Sequence, residues 1–213
     1  MKYAIITGRQ LNDMYSQKIV QFEEAYAEYL MQFGYQSFVL PFTLDIQTVI
    51  GFQPQLILLT GGGDVPADYF DSNIDTISQN DRDCLEKSLI EYAMNNDIPL
   101  LGICRGMQMI NGFLGGKITR DVLGRHPIAV NHMVRFLHNG AKYEVNSFHQ
   151  DFIHFHALSN SLKAIGLSDE QKQVEAFVGI NRRILGLQWH PERSRKGDSC
   201  REISDKLILN LIK

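Results

Sequence analysis

The sequence predicts an α/β fold in which a central, mostly parallel sheet is followed by an antiparallel strand insert in the second half of the chain. In the first half, short apolar runs alternate with stretches of helical periodicity, as in parallel sheets with right-handed crossovers. In the second half, short half-alternating segments are separated by turn residues, which favours antiparallel strands. The length of 213 residues and the lack of a Pro-, Gly- and Ser-rich linker fit a single domain over residues 1–213.

The first half is predicted from apolar runs and from apolar residues spaced three and four apart. The predicted elements are strands over residues 3–7, 37–41, 56–60 and 98–103, and helices over about 16–33 and 79–96. Residues 9–13 are expected to form a loop, and Gly34 is expected to end the first helix. In the second half, short strands are expected over residues 129–136, 142–148, 152–158, 174–179 and 184–190. The last two are interpreted as a hairpin that turns at residues 180–183, and an amphipathic tail from about residue 199 is expected to cap the domain.

Composition excludes several classes of function. The formal net charge of −3 gives no basic excess for binding nucleic acid or an anionic membrane. No apolar run reaches the roughly 18 residues of a membrane helix, and the first run is too short for a signal peptide. The three cysteines form no Cys-x-x-Cys pair, so reduced thiols are the simplest interpretation. We therefore expect a cytoplasmic protein that acts on a small molecule.

Cys104 lies at the corner between the fourth predicted strand and a helix, in the sequence GICRG. Active sites of open parallel sheets gather at the carboxyl ends of the strands, and a sharp strand-to-helix turn exposes the nucleophile of serine hydrolases. Gly102 and Gly106 permit such a turn, and the helix N-terminus favours a thiolate. Cys104 is therefore the candidate nucleophile. The alternative is a buried cysteine that packs as a small apolar residue, which is the interpretation for Cys84 and Cys200.

His190 and Glu192 are the candidate base and its orienting group. His190 ends an apolar strand, and in an extended chain residues two apart point to the same face. Pro191 stiffens the residue between them, so the Glu192 carboxylate can accept from one ring nitrogen while the other faces the thiol. A purely structural histidine is the alternative.

The other histidines carry weaker signals. His149 is a candidate to line the pocket, and His154 and His156 alternate with apolar residues as on one face of a strand. His126, His132 and His138 have no acid at suitable spacing and match no zinc signature, so the sequence predicts no metal site. No cofactor is expected either.

The sequence TGGGD follows the third predicted strand. It lacks the lysine of a phosphate-binding loop and the span of a dinucleotide-binding loop, so a tight turn is one interpretation. Beside a nucleophile at a strand-to-helix corner, backbone N–H groups of Gly62 or Gly63 would complete an oxyanion hole with that of Arg105.

The motifs GGGDVPADYF, GICRGMQMING, VNSFHQ and GLQWHPE, in this order, resemble the class I glutamine amidotransferase superfamily, and within it the γ-glutamyl hydrolase-like branch, peptidase C26. The resemblance implies a flavodoxin-like three-layer sandwich and a γ-glutamyl thioester on Cys104. It implies His190 as acid and base and Glu192 as its orienting group. It also implies that Gln108 and the stretch Ser147, Phe148 and His149 hold the α-amino and carboxylate ends of a γ-glutamyl group.

Arg9 and Arg193 are expected at the rim of the site, where they would receive an anionic leaving group. γ-Glutamyl-GABA or a γ-glutamyl nucleotide phosphoramidate such as γ-glutamyl-CDP-amidate would fit, while a solvated charged loop is the alternative. The second hypothesis is a glutaminase subunit that supplies ammonia to a synthetase partner. The third is a binding module with a degenerate triad. A homodimer is an open alternative to a monomer.

Overall fold

The computed structural model of the protein describes residues 1–77, 79–121, 129–168 and 172–213. Within these residues the strands are β1 (Lys2–Ile6), β2 (Arg9–Asn12), β3 (Lys18–Gln21), β4 (Tyr35–Val39), β5 (Leu56–Leu59), β6 (Leu100–Ile103), β7 (Thr119–Arg120), β8 (His132–Phe136), β9 (Lys142–Val145), β10 (Asp151–Phe152), β11 (Leu162–Ser168), β12 (Val174–Gly179) and β13 (Ile184–Leu187). The helices are α1 (Glu24–Met31), α2 (Ile46–Gly51), α3 (Asn80–Asn95), α4 (Arg105–Phe113) and α5 (Ser199–Leu211), and none of them is long and apolar enough to cross a membrane.

The main sheet joins a parallel half to an antiparallel half. Its strand order is β4-β1-β5-β6-β13-β12-β11-β8-β9. The first five strands pair in parallel and the remaining pairs are antiparallel. The predicted fold class is therefore confirmed, including the antiparallel strands of the second half and the predicted hairpin, now β12 and β13.

Two apolar cores lie on opposite faces of the sheet, because successive side chains of a strand point to opposite sides. Along β5, Ile57 and Leu59 pack with α2, α3 and α4, whereas Leu56 and Leu58 pack with α1 and α5. Helices thus cover both faces and give the three layers that were expected. The amphipathic tail packs as α5, as predicted.

The helix predicted over about 16–33 is wrong in its first half. Residues 9–12, which were expected to lie in a loop, form strand β2 and pair with β3 in an antiparallel hairpin, and α1 begins only at Glu24. The Asp13 carboxylate accepts from the backbone N–H groups of Tyr15 and Gln17, which closes the turn between the two strands. Residues 18–21 are exposed, so the apolar spacing that suggested a buried helical face does not face the core.

Two further differences concern the second half and the linkers. Residues 152–158 do not form one strand, because β10 ends at Phe152 and Phe155–Ala157 is a single 3₁₀ turn. The β11 strand and the short helix α2 were not predicted. β11 lies between β8 and β12. Its pairing with β12 shifts register on both sides of Gly166, as at a β-bulge.

Three adjacent parallel strands end at the same edge of the sheet and position the candidate site. β5 leads into the glycine-rich loop, β6 leads into Cys104, and β13 leads toward His190. Leu59 pairs with Gly102, and Leu187 pairs with Ile103. Residues from distant parts of the sequence therefore meet where the strands end.

Candidate active site

Cys104 sits on a strained strand-to-helix corner. Its backbone has φ 53° and ψ −109°, in a region that residues with a side chain rarely adopt. Its N–H donates to the carbonyl of Leu187 at 2.8 Å, and α4 begins at the next residue, Arg105. Such a turn keeps the Cβ and sulfur at the sheet edge and points the helix N-terminus toward them.

The two glycines that flank Cys104 are required by close packing. A Cβ on Gly106 would lie 2.0 Å from the carbonyl oxygen of Leu59, and a Cβ on Gly102 would lie 2.7 Å from the backbone of Gly106. Both of these contacts are with backbone atoms, so a larger residue at either position would require the backbone to move. Helix α4 can pack against β5 and β6 only with glycine at both positions.

His190 and Glu192 form a buried hydrogen-bonded pair. The ring Nδ1 donates to the Glu192 carboxylate at 2.6 Å. The residues between them are not extended as predicted, because Pro191–Arg193 forms a 3₁₀ turn that nevertheless brings the two side chains together. Burial opposes the charged ring, but the Cys104 sulfur and the Glu192 carboxylate outweigh it and raise the pKa of His190 to about 9.

Asn146 and Tyr26 support His190 and were not singled out in the sequence. The Asn146 side chain accepts from the backbone N–H of His190 and donates to its carbonyl, both at 2.8 Å. The Tyr26 hydroxyl lies 3.4 Å from His190 Nδ1 and accepts from the N–H of Gly61 at 3.1 Å. Tyr26 therefore links the histidine to the glycine-rich loop. Nothing local in the sequence indicates these contacts.

Gly62 and Gly63 adopt positive φ angles of 83° and 78°. A Cβ on Gly62 would lie 1.9 Å from the Arg9 side chain, and one on Gly63 would lie 1.7 Å from the Gln79 amide. Both positions therefore combine a left-handed backbone with a close side-chain approach, which only glycine meets.

A buried network of four charged side chains lies behind the glycine-rich loop. The Arg105 guanidinium donates to both Asp83 and Glu86, and Arg82 donates to Glu86 at 2.8 Å. Burial disfavours the charged carboxylate of Glu86, yet Arg105 and Arg82 hold its pKa below the ordinary value. Burial and the neighbouring Arg105 lower the pKa of Arg82 to about 10. Two guanidinium groups thus face two carboxylates, which compensates their desolvation.

The same two arginines hold the carbonyl groups of the glycine-rich loop. Arg82 donates to the carbonyls of Thr60 at 2.8 Å and Gly62 at 2.7 Å, while Arg105 donates to that of Asp64 at 2.8 Å. Fixing these carbonyls fixes the orientation of the peptide groups between them. The Arg105 side chain therefore contacts the loop directly, whereas only the backbone N–H of Arg105 was predicted to have a role.

One cleft of about 790 Å³ brings most of the predicted residues together. Its lining includes the predicted residues Arg9, Gly62, Gly63, Cys104, Arg105, Gln108, Phe148, His149, His190 and Arg193. Ser147 and Glu192 are buried and are not among the lining residues. Glu192 contacts two residues that are, His190 at 2.6 Å and Arg193 at 3.7 Å.

Gln108 and His149 share one acceptor at the cleft wall. The Gln108 amide donates to the carbonyl of Asp151 at 2.9 Å, and His149 Nδ1 lies 3.1 Å from the same oxygen. Arg120, which the sequence did not single out, pairs with the carboxylates of Asp64 and Asp151. This wall combines amide, imidazole, guanidinium and carboxylate groups in one place.

The rim carries two arginines that share one carboxylate. Arg9 and Arg193 both pair with Glu23, at 2.8 and 3.0 Å. The Arg193 guanidinium also lies 4.6 Å from the ring centre of Phe148, and that ring meets the His190 ring edge-on at 5.7 Å. Glu23, which was not predicted, compensates one of the two positive charges.

Among the other histidines, His126 lies outside the described residues. His132 and His149 approach Glu175, a buried carboxylate on β12 that is distant from both of them in the sequence. The sheet brings this acid to them from a distant strand.

Comparison with known proteins gives a consistent family. The model of the peptidase C26 family matches residues 4–192. YvdE of Lactococcus lactis, described as a glutamine amidotransferase-like protein, is 27% identical over 197 residues, or 82% of each chain. The γ-glutamyl-CDP-amidate hydrolase of Campylobacter jejuni is 32% identical over 139 residues, covering 64% of this chain and 62% of that protein.

A solved glutamine amidotransferase from Thermotoga maritima shares the fold, with a TM-score of 0.62 and 17% identity. The superposition covers 100% of this chain and 86% of that one. The family match and these relatives support hydrolase or glutamine amidotransferase chemistry on γ-glutamyl compounds. The chain belongs to the peptidase C26 family of class I glutamine amidotransferase-like proteins.

Proposed function

We propose that the protein hydrolyses a γ-glutamyl amide bond through a γ-glutamyl thioester on Cys104, with His190 and Glu192 completing a triad. The observation that carries the proposal is the strained corner at Cys104, whose sulfur interacts with a buried imidazole that is itself bonded to a carboxylate. Nucleophile, base and orienting group in this order are what covalent acyl transfer needs.

In the first half-reaction the Cys104 thiolate attacks the γ-carbonyl carbon of the substrate. The carbonyl π electrons move onto the oxygen, which is stabilised by the N–H of Arg105 and an N–H of Gly62 or Gly63. The carbon–nitrogen bond then breaks, and the His190 imidazolium gives its proton to the departing amine. In the second half-reaction His190 takes a proton from water, which attacks the thioester. The tetrahedral adduct then collapses with cleavage of the carbon–sulfur bond. This releases glutamate, whose new carboxyl group loses its proton to solvent, and restores the Cys104 thiolate paired with the His190 imidazolium.

The raised pKa of His190 supports the first of these steps. At neutral pH the ring is protonated and can serve as the acid for the leaving amine.

We propose that the wall around Asp151 receives the glutamyl head group. Gln108 and His149 lie there beside the mixed charges of Arg120, Asp64 and Asp151, a setting suited to an α-ammonium and an α-carboxylate together. In this proposal Ser147 has no direct contact with the head group, since it does not line the cleft.

We propose that the departing amine is anionic. Arg9 and Arg193 lie at the rim and share the carboxylate of Glu23. Arg193 also lies 3.7 Å from Glu192, but that carboxylate is bonded to His190 at 2.6 Å, so the two rim arginines carry more positive charge than Glu23 alone compensates. Phe148 adds an aromatic face beneath the Arg193 guanidinium. The Campylobacter jejuni relative is named for the hydrolysis of γ-glutamyl-CDP-amidate, so that compound and γ-glutamyl-GABA are the substrates to test first.

The test is a screen of glutamate release from neutral and anionic γ-glutamyl amides, with Cys104→Ala as the control. The anionic amides should give the highest kcat/KM, and the control should lose about 10,000-fold or more. Glutamate release that survives Cys104→Ala would refute the thioester. Equal rates on neutral and anionic amides would refute the anionic leaving group alone.

The second candidate function is ammonia supply to a synthetase partner, which the likeness to glutamine amidotransferases favours. It predicts slow turnover of free glutamine by the isolated chain and strong stimulation by the partner. Measuring glutamine turnover with and without candidate synthetases separates the two functions.

A further inference from the structure

The antiparallel half of the sheet gathers two histidines and a glutamate that the proposed reaction does not use as acid or base. His132 begins β8, His149 follows β9, and Glu175 lies on β12. The three side chains present ligand atoms that all lie within 4.8 Å of one another. No local sequence motif indicates this cluster, because each of the three residues comes from a different strand or loop.

The distances place one imidazole nitrogen beside each oxygen of the carboxylate. His132 Nε2 is 3.3 Å from one Glu175 oxygen, and His149 Nε2 is 4.0 Å from the other. Zinc binds imidazole nitrogen and carboxylate oxygen at about 2.0–2.2 Å in a tetrahedron, which puts neighbouring ligand atoms about 3.4 Å apart. Movement of side-chain atoms by about 1 Å would therefore bring these atoms to three corners of a tetrahedron, with the fourth open to water.

The orientation of His149 is the one that a metal ligand needs. Its Nδ1 lies 3.1 Å from the carbonyl oxygen of Asp151 and can only donate to it. A neutral ring held in this way presents the Nε2 lone pair toward Glu175. Metal-bound histidines commonly donate their other ring N–H to a carbonyl or carboxylate in the same manner.

The donor set of the cluster favours one kind of metal ion. Glu175 is fully buried and His149 is nearly so, so little water would compete with these donors for an ion. Two nitrogen donors and one oxygen donor suit zinc, whereas calcium and magnesium prefer oxygen donors alone.

We propose that His132, His149 and Glu175 bind one Zn²⁺ ion. The ion would tie the segment of His149, which lines the cleft, to strands β8 and β12. Binding of the metal does not depend on the proposed hydrolysis. The effect on the glutamyl-binding wall does rest on that function.

The test uses the full chain carrying Cys104→Ser, so that the thiol of the cleft cannot bind metal. The protein is stripped with a chelator and titrated with Co²⁺, followed by displacement with Zn²⁺. We expect saturable binding of one ion per chain, visible d–d absorption without a sulfur charge-transfer band, and a higher melting temperature with Zn²⁺. His132→Gln and Glu175→Gln should each weaken Co²⁺ binding by about 100-fold or more.

The control is His154→Gln with His156→Gln, since the stacked rings of these residues are the other histidine pair with close geometry. This variant should bind Co²⁺ as the parent does. The proposal is overturned if no saturable binding occurs, if a sulfur band shows thiolate ligation, or if binding follows the control pair. If Glu175→Gln does not fold, His132→Gln, which alters a partly exposed side chain, decides the question.

Discussion

The inner wall of the cleft and its rim both carry arginines, but the two regions hold them in opposite ways. At the inner wall, Arg82 and Arg105 are fully buried and each is bonded to carboxylates and to loop carbonyls. At the rim, Arg9 and Arg193 are partly exposed and share a single carboxylate, Glu23. The difference indicates that the inner charges fix the loop geometry, whereas the rim charges are available to exchange partners with a ligand.

The largest effect should come from the carboxylate that orients His190, beside these two regions. Glu192→Gln should lower kcat for γ-glutamyl amides by about 1,000- to 10,000-fold, because the histidine loses both its orientation and the charge that favours its protonated form. Glu202→Gln, at an exposed position of helix α5, is the matched control and should leave kcat unchanged. Comparable loss in both variants would contradict the assigned role.

The pH dependence of the same pair has a definite sign. The pKa of folded His190 is raised to about 9, so the acid needed for the leaving amine is present at neutral pH and is lost as the pH rises through about 9. The charged ring also stabilises the fold fully below its unfolded pKa near 6.5, and this contribution disappears through about 9. In Glu192→Gln the alkaline fall in kcat should move to lower pH, and pH–rate profiles of both forms measure it. An unchanged alkaline limb would contradict the coupling.

The inner network should dominate stability. Arg105→Met leaves Asp83 and Glu86 with only one buried guanidinium, so the free energy of unfolding should fall by about 3–5 kcal/mol. Arg193→Met at the rim should change it by no more than about 0.5 kcal/mol, since exposed ion pairs contribute little. Urea denaturation of both variants measures the contrast. Equal losses would remove the distinction between the two regions.

The rim should govern the choice of substrate. Arg193→Ala should raise KM for anionic γ-glutamyl amides by about 10-fold and leave neutral amides nearly unaffected, because one charge-assisted contact contributes about 1.5 kcal/mol. Arg195→Ala, on an exposed residue outside the cleft, is the matched control. Steady-state kinetics on both amide classes decides the point, and an equal rise for neutral amides would show a packing effect instead.

The smallest expected effect is a decrease in KM rather than an increase. Glu23→Gln removes the carboxylate that Arg9 and Arg193 share, so KM for anionic amides should fall by about two- to fivefold, a change of less than about 1 kcal/mol. Added salt should diminish this gain, because exposed charges are screened. An increase in KM would mean that Glu23 is needed to position the arginines.

Much of the site could be predicted because its parts are local. Cys104 carries its own glycines, and the partner of His190 stands two residues away, so short motifs at strand ends were sufficient. Arg82, Asn146 and Tyr26 could not be predicted, because their roles depend on contacts with loops that are distant in the sequence. The grouping of Glu175 with His132 and His149 depends likewise on sheet pairing.

Prediction of the fold likewise succeeded where the signal is local in the sequence and failed where it depends on distant contacts. The parallel strands were predicted because they are continuous buried apolar runs. The hairpin of β2 and β3 was missed because its exposed apolar residues imitate helical spacing, and only the turn at Asp13 and the packing of α1 distinguish the two structures. β11 was missed because its glycine and lysine interrupt the alternation that indicates a half-buried strand.

The most direct test of the covalent mechanism is the intact mass of the enzyme quenched in acid during turnover of an anionic γ-glutamyl amide. A mass increase of one glutamyl group is expected, located by peptide mapping on Cys104 and lost after treatment with hydroxylamine, which cleaves thioesters. Continued hydrolysis with no adduct in rapid-quench samples, together with full activity of Cys104→Ala, would contradict it.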